Sequence, residues 1–413
     1  MPGAHENGRV EQPWILSSAA EAALAMARAA TDRDPLRLGA ALQRALGLDA
    51  SQRAAVLTQL SLEDRATTRW HAPATDMRLT REGLEQATRP VLAEWRARQL
   101  ADAGVRQAAD LGCGLGLESR ALARAGLRVR AVELDPDTAA FARHNSAGLD
   151  VTIHVGDLTD PAVLAWALDG ADAAFLDPAR RDPTGPRTID GRTGHRVLDP
   201  ESWSPPWSWV RTLADRLPRT VVKVAPGIDH ALVPSDASAT WAAVDGDLVE
   251  ASVWFRGFAG LPARRALALT HDGSLDLLTS DASVDETVTG VRDHLIDVAP
   301  VVTRSGLVTT LAARLDATRI DPHIGYLTRD GAPVPTPFHT TYRVLDVLPF
   351  DRRRVGSALA GLGCGALTVM KRGFAADTEA LRRQWLRGCH GDRAMVVALT
   401  RIGDVPTAVV CEP

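Results

Sequence analysis

Apolar residues recur at three- and four-residue spacing through WILSSAAEAALAMARAA and DPLRLGAALQRALGL near the start of the chain, and DASQRAAVLTQL continues the pattern. That period predicts helices over residues 13 to about 64, with Ser17, Asp34 and Asp49 placed to cap them. The period then changes. The pieces ADLGCGLG, VRAVELDP, VTIHVGDL and AAFLDPARR follow one another between Ala109 and Arg181, each a hydrophobic run closing on a small or acidic residue. Helical stretches such as LESRALARAG and PDTAAFARHN separate the early runs, so a mainly parallel sheet with helices on both faces is expected. TVVKVA, a hairpin through TWAAVDGDLVEASVWF, and RRALALT extend it. Further on, VAPVVTRSGLVTTLAARL reads as one helix, IGYLT as a strand before a turn at Asp330-Gly331, and TPFHTTYRVLDVLPF as strand-like. DRRRVGSALAGLG and DTEALRRQWLRG read as helices, ALTVMKRG as a strand and AMVVALTRIGDVPTAVVC as a hairpin.

With 413 residues, more than one domain is expected. The pattern divides into residues 1–75, helical; 76–275, the sheet domain; and 295–413, a second α/β domain. No run of eighteen apolar residues occurs, and MPGAHENGRVEQPW lacks a charged-then-apolar signal pattern. The four cysteines show no C-x-x-C spacing, so a reducing cytoplasm is the expectation. Neither an H-E-x-x-H motif nor a Cys/His cluster is present, and no metal is expected; His144 and His154 do not close strands. One skew adds information: only Lys223 and Lys371 among the 47 basic residues are lysine. A compact ammonium on a flexible stem is required at few positions, and Lys223 lies in the fifth strand, near its active edge.

Strand ends are where open α/β sheets bind ligands, and four acid- or glycine-tipped strands in succession outline a nucleotide-like pocket. This order resembles the class I S-adenosylmethionine-dependent methyltransferases, which implies a Rossmann-like seven-stranded sheet and S-adenosylmethionine as cofactor. The resemblance places the methionine part of the cofactor on the loop of Gly112, Gly114 and Gly116, with Asp110, or its backbone, facing its ammonium end through water. It gives the ribose hydroxyls to Glu133 and the adenine amino group to Asp157. Thr80, in the segment that folds over the cofactor in this family, is a further contact candidate or simply a helix N-cap. A nicotinamide pocket also has an acid after its second strand. Its G-x-G-x-x-G/A fingerprint fails here, because the sixth position is Leu117 counted from Gly112 and Ser119 counted from Gly114.

The fourth motif departs from the family. Amino-methylating members carry an acid or amide, two prolines and an aromatic; this chain has Asp177-Pro178-Ala179-Arg180. Asp177 can still orient an amine and the Pro178 region supply backbone acceptors, while Arg180 and Lys223 bind a substrate phosphate or shape the pocket. A stacking face would come from elsewhere, with Trp203, Trp207 and Trp209 as candidates if they do not simply anchor the following helix. Arg181, Arg187, Arg192 and Arg196 would add a phosphate-binding rim.

The carboxyl-terminal pieces YRVLDVLPFDRRRV and LTVMKRGFAADTEALRRQ and the closing hairpin resemble the THUMP-like domain that follows methyltransferase domains in certain bacterial proteins. THUMP domains proper bind RNA, so RNA is the implied partner. From His339 onward 11 basic residues face 7 acidic ones, whereas the whole chain carries −4; a basic tail on an acidic body fits polyanion capture. The expected activity is methylation of a base nitrogen in RNA, an exocyclic guanine amine being the resemblance's suggestion. A small-molecule methyltransferase and a non-catalytic cofactor-binding RNA-interaction protein are the alternatives.

Overall fold

The computed structural model describes residues 13–179, 199–258, 260–280 and 286–413. The amino-terminal helices start at the caps read from the sequence. Ser17 accepts a backbone N–H at the start of α1 (Ser18–Ala29), Asp34 caps α2 (Pro35–Leu46), and Asp49 with Gln52 forms a capping box on α3 (Ala50–Trp70). Helix α3 outruns the expected limit near residue 64. Its polar end SLEDRATTRW stays helical because Leu62, Glu63, Ala66 and Trp70 are buried. Helices α4 (Arg81–Gln86) and α5 (Pro90–Asp102) lead into the first strand.

Strands β1 (Gln107–Leu111), β2 (Arg128–Glu133), β3 (Val151–Val155), β4 (Ala173–Leu176) and β5 (Thr220–Val224) alternate with α6 (Leu117–Arg124), α7 (Pro136–Asn145), α8 (Pro161–Leu168) and α9 (Trp207–Arg216). All four pairings among these strands are parallel, in the order β3-β2-β1-β4-β5. Next come β6 (Ser238–Val244) and β7 (Asp247–Trp254), a hairpin turning at Asp245-Gly246, where both residues take positive φ.

The chain forms two compact units. The first runs to Ala237 and includes Ser252–Leu261, so the end of β7 lies beside β5 in the order of its sheet. The second holds the start of β7, then β6, β8 (Arg264–Leu269) and β9 (Leu275–Thr279), neighbours in that order. Strand β8 pairs parallel with β6, and β9 antiparallel with β8. These last two lie beyond the seven strands the resemblance implied.

The second unit also carries β10 (His294–Val298), α10 (Pro300–Ser305), α11 (Val308–Arg314), β11 (Thr318–Arg319), β12 (Tyr326–Arg329), β13 (His339–Pro349), α12 (Arg352–Gly361), β14 (Cys364–Lys371), α13 (Thr378–Leu386), β15 (Arg393–Ile402) and β16 (Val405–Glu412). The single helix expected over VAPVVTRSGLVTTLAARL is instead the end of a strand and two short helices. Gly306, at φ +74°, stops the first in a left-handed cap. The seven-stranded sheet runs β11-β12-β10-β13-β16-β15-β14. One core of this unit gathers Val355, Leu359, Leu381 and Trp385 of α12 and α13 with Val397, Leu399, Ala408 and Val410 of the sheet.

In the first unit the helical layer shares a core with the glycine-rich loop. Leu24, Leu42, Leu60 and Trp70 cluster with Met77, Leu79, Leu84, Leu115 and Phe141. Asn145, at the end of α7, pins the connecting segment. Its side chain accepts from the Arg78 N–H (2.7 Å) and donates to the carbonyls of Arg78 (2.9 Å) and Leu115 (3.0 Å). Removing that amide strands three buried backbone groups, each costing on the order of 1 kcal/mol or more. Asn145→Ala is expected to lower unfolding free energy by about 3 kcal/mol, read as the shift in a urea melt followed by tryptophan fluorescence. A shift under about 1 kcal/mol would remove Asn145 from this anchoring role.

Candidate active site at the carboxyl edge of the parallel strands

Strand register assembles the site. Leu111 pairs with Val132 and with Leu176, and Leu176 pairs with Val222. The next row along the same edge is therefore Gly112, Glu133, Asp177 and Lys223, each supplied by a different strand. Asp157 follows β3, two residues beyond Val155, the partner of Glu133.

Gly112, Gly114 and Gly116 take φ of +86°, +54° and +80°, conformations that only glycine adopts readily. The N–H groups of Gly112 and Cys113 donate to the Val132 carbonyl, which fastens the loop to β2. Glu133 closes the loop from the other side. One carboxylate oxygen accepts the Gly114 N–H at 2.9 Å and the other the Asp135 N–H at 3.1 Å. Each oxygen keeps a lone pair for an outside donor. The Cys113 thiol is buried, and desolvation with the nearby Asp110 and Glu133 carboxylates pushes its pKa well up, so it is not a nucleophile.

Asp110 lies beneath the loop and is fully buried. One oxygen accepts the Ser119 hydroxyl at 2.5 Å, and the other has no partner. Burial raises its pKa from 3.8 to about 7; the Ser119 hydrogen bond works against that shift, and repulsion from Asp177 and Glu133 adds to it. A buried acceptor of this kind, under a glycine cradle, suits a cationic ammonium held directly or through water. Sequence reasoning used Ser119 only to reject the dinucleotide fingerprint; its hydroxyl in fact donates to Asp110.

Asp177 and Lys223 meet. The Lys223 ammonium donates to Asp177 Oδ2 at 2.7 Å and to the Gln86 carbonyl at 3.2 Å, and its side chain is only 10% exposed. The Asp177 carbonyl lies 3.7 Å from where a Cβ on Gly112 would stand. Pro178 is buried, and the chain re-enters beside Ala179 through a two-way backbone pairing with Ser204. Trp203 and Trp207 are 7% and 4% exposed and pack edge to face at 5.8 Å, which spends their faces on the interior. Trp209 is half-buried. Arg180, Arg181, Arg187, Arg192 and Arg196 lie outside the described residues.

Thr80 caps α4 through its side chain, which accepts the Gly83 N–H at 3.0 Å. Gly83 sits so close to the glycine loop that a Cβ there would lie 2.4 Å from Leu115 Cδ1. Asp157 is exposed. Its carboxylate accepts both the N–H and the hydroxyl of Thr159 at 2.8 Å, which hold its pKa below the usual carboxylate range. Among the described residues no group of His, Cys, Asp and Glu is arranged to hold a metal ion, and no helix is long and apolar enough to cross a membrane.

Residues 109–175 match the family description "Methyltransferase domain", and residues 339–413 match "THUMP domain-like". The chain is 34% identical over 343 residues to the uncharacterized S-adenosylmethionine-dependent methyltransferases Rv3037c and MT3122 of two Mycobacterium tuberculosis strains, an alignment spanning 81% of this chain and 88% of each relative. The chain belongs to the S-adenosylmethionine-dependent methyltransferases. A crystal structure of a candidate methyltransferase from Porphyromonas gingivalis W83 covers 95% of the chain, and 97% of its own, with a TM-score of 0.69. At 20% identity it attests the fold alone. S-adenosylmethionine is the cofactor of this methyltransferase, and the glycine cradle, the unmet Asp110 oxygen and the spare Glu133 lone pairs fit its amino-acid and ribose parts.

The Asp110 shift carries a pH prediction of definite sign. Folded Asp110 holds its proton up to about pH 7, whereas the unfolded residue has released it near 4. Stability of the cofactor-free methyltransferase should therefore fall as pH rises through that window, and Asp110→Asn should remove this slope. Binding an ammonium ligand needs the ionised form. The affinity for S-adenosylhomocysteine, measured calorimetrically, is expected to rise about tenfold from pH 6 to pH 8, and to stay flat and weaker in Asp110→Asn. Equal pH dependence in both proteins would detach Asp110 from the ligand.

Proposed function

We propose that this methyltransferase acts on a nitrogen of a base in RNA. The carrying observation is Asp177-Pro178 at the end of β4, one strand from the glycine loop, with a carboxylate that stays 28% exposed at the carboxyl edge of the sheet. Bound S-adenosylmethionine supplies an electrophilic methyl on a sulfonium. Asp177 accepts a hydrogen bond from the target amine and turns its lone pair toward that methyl. The backbone carbonyls about Pro178 add acceptors. On transfer an N–C bond would replace the S–C bond, whose electron pair stays on sulfur, and the nitrogen's proton would pass to the Asp177 carboxylate or to water. Positioning and fixed charge suffice for such a displacement. We assign Asp110 and the three glycines to the amino-acid end, Glu133 to the ribose, Asp157 to the adenine amino group, Thr80 to the segment over the cofactor, and Arg180 to a substrate phosphate.

RNA as the substrate class is supported by the match of residues 339–413 to a THUMP domain-like family and by the charge of that segment. Arg352, Arg353 and Arg354 open α12, and Arg383 and Arg387 lie on and just after α13; all five are exposed and outside every ion pair among the described residues. The two helices adjoin, since Trp385 donates to the Arg352 carbonyl. We assign methyl transfer to residues 76–275 and RNA capture to 295–413, with 1–75 as a helical cover.

The deciding experiment is label transfer from radiolabelled S-adenosylmethionine to total RNA from a strain lacking the gene, with protein, DNA and small-molecule extracts in parallel. Labelled RNA that is lost with Asp177→Ala is expected. Label confined to small molecules would overturn the RNA reading. A binding measurement is independent of turnover. Replacing Arg352, Arg353 and Arg354 together by alanine is expected to lower the slope of log affinity against log salt for this RNA by about 2, and an unchanged slope would remove α12 from the RNA contact.

A further inference from the structure

Lys223 is an uncommon residue in an uncommon place. All five residues of β5 are buried, and this is one of two lysines in a chain that otherwise uses arginine. A buried ammonium is tolerated only when its charge and donors are met, and two of the partners here lie on different elements. One is the Asp177 carboxylate. The other is the Gln86 carbonyl, on the last residue of α4. The remaining carbonyls at that helix end are taken by Arg69 of α3, which donates to Leu84 at 2.5 Å, Glu85 at 3.4 Å and Ala87 at 3.3 Å. Two cations thus terminate a six-residue helix whose own hydrogen bonds are few, where its partial negative charge lies. The other end is capped by Thr80, and Gly83 rests on Leu115 of the glycine loop.

We propose that Lys223 is a positioning residue for methyl transfer, a latch that fixes the Asp177 carboxylate and ties α4 to it. Lys223 occupies Oδ2, so Oδ1 is left to receive the nucleophile's N–H. The carboxyl group cannot rotate without breaking a charge-assisted hydrogen bond to a largely buried ammonium. Arginine would not reproduce the arrangement, because its planar fork would span the carboxylate rather than divide its donors between Asp177 and Gln86. This explains why a compact ammonium is retained at this position. The latch rests on the reading of Asp177 as the acceptor that faces the transferred methyl.

The two claims are separated by comparing S-adenosylhomocysteine with sinefungin, an analogue carrying a primary amine at the methyl's place. The ratio of their affinities reports the acceptor that meets that amine, and needs no knowledge of the RNA. Calorimetry on the full chain would cover the wild type, Asp177→Asn, Lys223→Met, Lys223→Arg and the Asp177→Asn/Lys223→Met pair, with thermal melts as the folding control. The wild type should prefer sinefungin by about tenfold or more, the scale of a charge-assisted hydrogen bond. Asp177→Asn and Lys223→Met should each lose most of that preference while S-adenosylhomocysteine binding changes about threefold at most, Lys223→Arg should recover it in part, and the double variant should match Asp177→Asn. A Lys223→Met protein that keeps the full preference while Asp177→Asn loses it would overturn the latch alone. Preference retained in Asp177→Asn would overturn the acceptor reading and the latch with it.

Discussion

Parallel register at one sheet edge is the constraint from which the rest follows. Four strands in step bring Gly112, Glu133, Asp177 and Lys223 into one row, with Asp110 directly beneath. Converging carboxylates repel and lose hydration, so the chain must supply donors of its own. It does so in three ways: a serine hydroxyl for Asp110, two backbone N–H groups for Glu133 and an ammonium for Asp177. In each case the internal donors use only part of the acceptor capacity. The remainder is what the proposed assignment gives to the ligand.

The helical layer and the methyltransferase sheet depend on each other through the same edge. Met77, Leu79 and Leu84 extend the amino-terminal core onto Leu115, and Asn145 fastens Arg78 to the glycine loop. Buried charge runs below as well. Arg96 pairs with Glu118 of α6 at 2.6 Å and lies 4.6 Å over the Phe175 ring of β4. Helix α4, beside the glycine loop, is held by the packing of Leu84 and by the Arg69 and Lys223 cations on its last carbonyls.

The strand-end acids and glycines were legible in the sequence because each follows a short apolar run, and a run's end can be located without knowing its neighbours. The caps Ser17, Asp34 and Asp49 were legible for the same local reason. Contacts between distant segments were not. That Lys223 meets Asp177 depends on β5 lying next to β4 in register, and its bond to Gln86 on where a short helix stops; neither leaves a periodic trace. Ser119 and Asn145 are polar residues in helices, indistinguishable by pattern from solvent-facing ones. Trp203 and Trp207 were open between stacking and packing, and burial of neighbouring apolar surface decided for packing. The break at Gly306 escaped because glycine within an apolar helical pattern is often tolerated.

A crystal structure of the full chain with sinefungin bound would test the central claim most directly. The proposed roles of Asp110, Glu133 and Asp177 put the ligand's amino-acid end on the Gly112–Gly116 loop above Asp110, both ribose hydroxyls on Glu133, and the amine within hydrogen-bond distance of Asp177 Oδ1 while Lys223 holds Oδ2. A ligand whose amine points away from Asp177, or whose ribose leaves Glu133 untouched, would contradict them.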